Sequence, residues 1–207
     1  MIGIIDIDMG NLRSVAKAVW SLGPDFVMVR EPVGLAAVSH CILPGVGQFR
    51  TASERLVASG LREALRGFAG DGRPLLGICL GMQLLADDGD EGGGSPGLGV
   101  VPGRVTKLEP GGDLRVPHVG WNTVALRRAH PVFAAVLPRR DFYLVHSFAF
   151  RAAAADDDVV LGETEHGSAF TSVVARGSVV GVQFHPEKSQ KNGLALLESF
   201  CDWDGTC

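Results

Sequence analysis

Through the first ninety residues, short uninterrupted apolar runs alternate with stretches of helical period. Ile2–Ile7, Phe26–Val29, Cys41–Leu43 and Pro74–Ile78 hold too few polar positions for half-exposed strands and read as buried ones. Between them, Asn11–Leu22 and Thr51–Phe68 repeat apolar residues at three- and four-residue spacing. Asn11 is placed to cap the first of these helices and Gly23-Pro24 to end it. Buried strands alternating with helices predict an α/β fold with a mainly parallel, doubly wound central sheet flanked by helices. Its sites are expected at the carboxyl ends of the strands.

Past Asp87 the pattern changes. Residues 88–99 are glycine-rich and acidic and read as a loop. They contain Gly92-x-Gly94-x-x-Gly97, but no strand precedes it and Pro96 interrupts it, so the dinucleotide fingerprint is rejected. Short β-rich runs follow at Gly103–Leu108, Thr123–Leu126, Phe142–Val145, Phe148–Arg151, Val159–Glu163, Ala169–Val174 and Val179–Phe184. They predict added antiparallel strands folded onto the first sheet. A last helix, Asn192–Asp202, is expected to pack back through Leu194, Leu197 and Phe200. No linker or internal repeat divides the chain, so residues 1–207 are expected to form a single domain.

Composition narrows the function. A hydrophobic content of 46% with 20% charged residues belongs to a globular protein. The net charge of −4, without any Lys/Arg cluster, argues against nucleic-acid binding. The longest uncharged stretch, Pro32 to Phe49, holds two prolines and three glycines and is no membrane span. The four cysteines, Cys41, Cys79, Cys201 and Cys207, form no CxxC pair or zinc spacing, so no metal or other cofactor is expected. Cys207, just past Asp204-Gly205, reads as incidental. The start carries no basic segment before its apolar run, and a reduced, cytoplasmic protein is the expectation.

The candidate chemistry centres on Gly77-Ile78-Cys79-Leu80-Gly81. An apolar run, a glycine and then an amphipathic stretch describe a strand turning sharply into a helix, as in Gly-x-Ser-x-Gly nucleophile elbows. Cys79 would sit at a helix N-terminus, where free N–H groups favour a thiolate. Taken alone it reads equally as a buried structural cysteine. A partner base stands downstream in Gln183-Phe184-His185-Pro186-Glu187, where period-two geometry puts His185 and Glu187 on one side. Glu187 could hold the imidazole and His185 could take the Cys79 proton, which is triad logic. Alone, His-Pro-Glu reads as a histidine tied to a neighbouring acid in a turn. In Pro44-Gly45-Val46-Gly47, backbone N–H groups at Gly45, Val46 and Gly47 could join that of Leu80 as an oxyanion hole.

The set PGVG, GICLGMQLL, PHVGWN, FYLVHSFAF and GVQFHPEKS resembles the class I (triad) glutamine amidotransferases. Within them it resembles the glutaminase subunits of imidazole glycerol phosphate synthase, over nearly the whole chain. The resemblance implies a three-layer amidotransferase fold and hydrolysis of L-glutamine through a thioester on Cys79, with His185 and Glu187 completing the triad. It implies that Gln83, Glu91, Tyr143, His146, Ser147 and Phe148 bind glutamine, and that His118, Trp121 and Lys188 face a partner. That partner is a (β/α)8 cyclase subunit, joined in a heterodimer, which would consume the ammonia in L-histidine biosynthesis. The competing readings are a glutaminase for another synthase, a redox cysteine protein, and a non-catalytic regulatory subunit. Asp8 departs from the resembled pattern, which more often has glycine there, as does the acidic stretch 86–91.

Overall fold

A computed structural model describes residues 1–110, 114–137 and 141–206; Cys207 lies outside the described residues. The first half runs β1 (Ile2–Ile5), α1 (Leu12–Leu22), β2 (Phe26–Val29), β3 (His40–Gly45), α2 (Phe49–Ala58), α3 (Leu61–Gly70), β4 (Leu75–Cys79) and α4 (Leu80–Leu84). The stretch expected as one helix from Thr51 to Phe68 is two, because Gly60 turns into the left-handed region at φ 73°. Ser59 Oγ donates to the carbonyls of Arg55 and Leu56 at 2.9 and 3.2 Å and closes the first helix ahead of the break. Gly23, at φ 99°, ends α1 as expected, its N–H donating to the Trp20 carbonyl.

The second half comprises β5 (Asp88–Gly89), β6 (Ser95–Pro96), β7 (Gly103–Lys107), β8 (His118–Thr123), β9 (Ala125–Leu126), β10 (Asp141–His146), β11 (Phe148–Ala152), β12 (Val160–His166), β13 (Ser168–Arg176), β14 (Val179–Val182) and α5 (Gln190–Asp202). The large sheet has the order β2-β1-β3-β4-β14-β13-β11-β7-β5-β6, with β12 and β9 branching from β13. β2, β1, β3, β4 and β14 run parallel, so the run at Val179, expected among the antiparallel strands, instead joins the parallel set beside β4; β13, β11 and β7 continue the sheet antiparallel. The glycine-rich loop therefore contributes strands of its own, since β5 pairs with β6 and lies parallel to β7. A separate two-stranded sheet joins β8 to β10. β8 meets the expected run Thr123–Leu126 only at Thr123: its burial alternates, and Val119 and Trp121 are exposed.

Period-two geometry divides the core in two. Ile2, Ile4, Ile42, Leu76 and Ile78 face α1 and α5, where Val15, Val19, Leu197 and Phe200 meet them. Ile5, Cys41, Leu43 and Leu75 face the other way, onto Phe49, Leu56, Leu61 and Leu65 of α2 and α3. Helices thus cover both faces of the parallel strands in three layers. On α5 it is Leu196 that is buried beside Leu197 and Phe200, while Leu194, expected to pack there, is 37% exposed.

Candidate active site

β4 leads into α4 with no intervening loop, and Cys79 occupies the corner at φ 54° and ψ −109°. A non-glycine residue there stores on the order of 1–3 kcal/mol of backbone strain. Both flanking glycines are dictated by close approach. A Cβ on Gly81 would stand 1.7 Å from the Leu43 carbonyl oxygen, and one on Gly77 would stand 2.7 Å from the Gly81 oxygen. The helix is thereby pressed onto β3, and Gly45, the last residue of β3, is in register with Cys79. The Cys79 side chain is nearly buried, and the first-turn N–H groups of α4 begin at Leu80.

His185 and Glu187 follow β14 in a 3-10 turn, Pro186–Lys188, so the turn and not an extended strand brings them together. His185 Nδ1 and Glu187 Oε1 are 2.8 Å apart, with side chains 2% and 1% exposed. The backbone holds the turn: His185 N–H donates to the Tyr143 carbonyl at 2.9 Å, and Ser189 Oγ donates to the His185 carbonyl at 2.6 Å. Asn11 does not cap α1 with its side chain; its Nδ2 donates to Glu187 Oε1 at 3.5 Å. Two buried atoms, His185 Nε2 and Glu187 Oε2, make no hydrogen bond. Such orphans are uncommon in folded proteins and often mark a catalytic role. Burial alone would lower the His185 pKa. Hydrogen bonding and charge from Cys79 and Glu187 outweigh it, so the ring is raised to about 9.

The residue that the motif reading passed over is Gln183, fully buried, whose Nε2 donates to Cys79 Sγ at 3.7 Å. Its Oε1 accepts from Gln83 Nε2 at 3.0 Å, and the same Gln83 nitrogen donates to the Phe148 carbonyl at 2.9 Å. A polar residue two positions before His185, in an otherwise apolar strand end, was the available signal.

A cavity of about 330 Å³ opens beside Cys79, lined by Val46, Gly47, Leu80, Gln83 and Glu91 together with Pro117, Val145, His146, Ser147 and Phe148. Its size falls near the lower end of small-molecule sites, about 300–1,000 Å³. Gly45 is covered, since a Cβ there would be 3.1 Å from that of Leu80. Glu91 Oε2 accepts from the Phe49 N–H at 2.8 Å, at the head of α2, which fixes the carboxylate at the cavity edge. Tyr143 does not line this cavity. Its ring lies 6.2 Å from Trp121 and 5.8 Å from Lys188 Nζ, outside the triad. Trp121 is 49% exposed there, whereas His118 is buried. Asp8, at φ 56°, keeps its left-handed turn through its N–H, which donates to Asp6 Oδ1, and through Arg55, which donates to the Ile7 and Asp8 carbonyls.

A buried cysteine on a strained elbow, an acid-held histidine and an adjoining cavity can together perform nucleophilic acyl transfer. The model of the class-I glutamine amidotransferase family matches residues 4–202. The chain belongs to that family. Among similar members, this amidotransferase is 43% identical over 203 residues to "Imidazole glycerol phosphate synthase subunit HisH" of Desulfitobacterium hafniense, covering 98% of this chain and 94% of the relative. The protein of the same name from Moorella thermoacetica is 45% identical over 199 residues, covering 96% and 93%. The amidotransferase also superposes on a solved "Crystal structure of glutamine amidotransferase" with a TM-score of 0.73 at 21% identity, each chain 99% covered. A chain of the solved "Structure of PurLQS from Thermotoga maritima" gives 0.72 at 18% identity, with 97% of each chain covered. These two show the shared fold.

Proposed function

We propose that this amidotransferase is the glutaminase subunit of an imidazole glycerol phosphate synthase, acting as a single domain in heterodimeric complex with a (β/α)8 cyclase subunit. The observation that carries the chemistry is the buried His185–Glu187 pair, with an unpaired Nε2 beside the Cys79 elbow. The relatives' names, at 43–45% identity over almost full length, support the synthase.

In this reading, L-glutamine enters the cavity with its amino group toward Glu91 and its side-chain amide toward Cys79. The thiolate attacks the amide carbon. The Leu80 N–H and the Val46–Gly47 backbone, which line the same cavity as Cys79, are the donors for the oxyanion that forms. Protonated His185 gives its proton to the leaving nitrogen, ammonia departs and a thioester remains. Neutral His185 then takes a proton from water, which adds to the thioester carbon. The C–S bond breaks, glutamate leaves and Cys79 is restored as thiolate with His185 protonated. Glu187 holds Nδ1 throughout and stabilises the imidazolium.

Ammonia released into water at neutral pH becomes ammonium, which is no nucleophile, so a consumer must dock over the site. Exposed Trp121 and the neighbouring Tyr143 and Lys188 supply an apolar and cationic surface for it. The described cysteines, Cys41, Cys79 and Cys201, are free thiols, in keeping with a cytoplasmic setting. The test is glutamate release by the chain alone, with cyclase subunit, and with cyclase subunit plus its nucleotide ligand, using Cys79→Ala as blank. Activity mainly in the third condition is expected. Activity in none of them, from folded protein, overturns the reading.

A further inference from the structure

Cys79 Sγ receives a hydrogen bond from a side chain outside the triad. Gln183 is fully buried, on the backbone just past β14, and its N–H donates to the Ser172 carbonyl at 2.9 Å, which fixes where the side chain starts. The orientation of its amide is also determined. Gln83 Nε2, a donor only, faces Gln183 Oε1 at 3.0 Å, so the Gln183 NH₂ must be the group that points at Sγ, 3.7 Å away. Gln83 is in turn oriented by the Phe148 carbonyl at 2.9 Å. The relay runs from the cavity wall, through two amides, to the nucleophile.

From this geometry we propose that Gln183 is a catalytic hydrogen-bond donor to the Cys79 sulfur, held in its working orientation by Gln83 as a positioning residue. The proposal deepens the glutaminase reading and rests on it for the reaction, though not for the contact itself. A neutral donor stabilises sulfur wherever it is anionic: in the resting thiolate, and again when water has added to the thioester and the C–S bond breaks, with the electron pair returning to Sγ. The hydrogen bond that Sγ donates as a thiol to the Val145 carbonyl, at 3.9 Å, is lost on deprotonation, whereas the one it accepts from Gln183 is kept. Being neutral, Gln183 leaves the proton on His185 for the departing ammonia, where a second cation near Sγ would compete for that role. The titratable groups that share this space are His185 and Glu187 after β14, His146 at the end of β10, and Glu91 on the cavity wall; α4 brings no charged side chain.

The experiment measures the pH dependence of Cys79 alkylation by iodoacetamide in the isolated chain, with Cys79→Ala subtracted, for the unsubstituted protein, Gln183→Met and Gln183→Asn. Methionine keeps the length and removes the donor; asparagine keeps the amide and withdraws it from reach. In both variants the half-maximal pH should rise by about one unit, the size expected for one hydrogen bond to a charged group. Gln83→Met should shift it in the same direction and by less. In the holoenzyme with cyclase subunit, kcat for glutamine should fall about ten-fold with KM within about two-fold, since the donor acts on sulfur and not on substrate binding. A purely structural Gln183 would lower the melting temperature and leave the alkylation midpoint in place. An unmoved midpoint in both folded variants overturns the proposal. A shifted midpoint in a chain that releases no glutamate under any condition would keep the contact and overturn the reaction assigned to it.

Discussion

His118 Nδ1 and His146 Nε2 stand 3.1 Å apart behind the cavity wall, and the pair is satisfied only while both rings are neutral. His146 Nδ1 lies 2.9 Å from the Phe148 carbonyl and must donate to it, which leaves Nε2 as acceptor. His118 then donates from Nδ1 and accepts at Nε2 from Asn122 Nδ2, 3.3 Å away. Every proton in the chain Asn122–His118–His146–Phe148 is thereby assigned, and the strand end that forms the cavity wall is pinned from behind.

Acid should unfasten this wall. Burial lowers the pKa of His118 to about 4, helped by the charge of His166; burial lowers that of His146 to about 4 as well, against the pull of the Phe148 carbonyl. Both folded values lie below the ordinary value of about 6.5. The unfolded chain therefore binds more protons between about pH 6.5 and 4, and stability falls as pH drops through that window. The loss by pH 5 is on the order of 1 kcal/mol per ring after allowance for screening. Urea unfolding at pH 7 and pH 5 reads it directly. Equal stability at the two pH values would show that the rings are not held neutral, and His118→Gln should flatten the profile.

His185 carries the opposite sign. Its folded pKa of about 9 stands above the ordinary histidine value, so its stabilising contribution is complete below about pH 6.5 and is lost as pH rises through about 9. Because the imidazolium must hand its proton to ammonia, glutaminase activity of the complex should decline along an alkaline limb near pH 9. Glu187→Gln removes the charge that stabilises the ring; it should move that limb to lower pH and reduce kcat/KM by about 100-fold or more. An unshifted limb in Glu187→Gln would mean that the acid only packs the turn.

Glu91 performs two tasks that a substitution can separate. One carboxylate oxygen accepts from the Phe49 N–H at the head of α2, and the carboxylate borders the cavity. Glu91→Gln keeps an acceptor for the helix but removes the charge offered to a substrate ammonium group. KM for glutamine should rise about ten-fold or more with kcat within about three-fold and the melting temperature unchanged. Glu91→Ala should add a loss of about 1 kcal/mol of stability, the usual cost of a missing helix cap. If Glu91→Gln leaves KM unchanged, the residue is only a cap.

The sequence made β1 to β4 legible because each is a short, nearly uninterrupted apolar run, and it made the elbow legible because Gly77 and Gly81 bracket the cysteine at fixed spacing. β14, expected antiparallel, runs parallel to β4, a partner about a hundred residues away that leaves no local trace. Motif resemblance brought His146, Ser147 and Phe148 to the cavity wall where they stand. What stayed illegible depends on contacts distant along the chain. Asn11 looks like a helix cap, and its use by Glu187, 176 residues away, leaves no local trace. Tyr143 shares a strand with His146, yet the pairing of β10 with β8 sends its ring toward Trp121 and away from the cavity. His118 sits in a segment that resembles a docking surface, but its neighbours alternate in exposure and its own ring turns inward. The two-residue strands at Asp88 and Ser95 are too short for any periodicity to register.

Two glycine-to-alanine substitutions of identical chemistry should have opposite effects. Gly81 lies in α4, where an alanine Cβ would fall 1.7 Å from the Leu43 carbonyl oxygen, a rigid backbone atom of the central sheet. Helix and strand would have to separate, undoing the register of Gly45 with Cys79 on which the elbow depends. The cost is about 3 kcal/mol or more, the upper range for overpacking. That corresponds to a fall in melting temperature of about 6–12 °C in a chain of this length, with loss of glutaminase activity. Gly67 is also helical, in α3, but it is exposed and an added Cβ would meet nothing within 4 Å. Alanine there reduces the entropy of the unfolded chain and should stabilise by about 0.5–1 kcal/mol while leaving activity intact. Melting curves of the two variants decide the matter: if Gly81→Ala melts with the unsubstituted protein, the close approach of α4 to β3 does not constrain the elbow, and the strain at Cys79 must be maintained by something other than that contact.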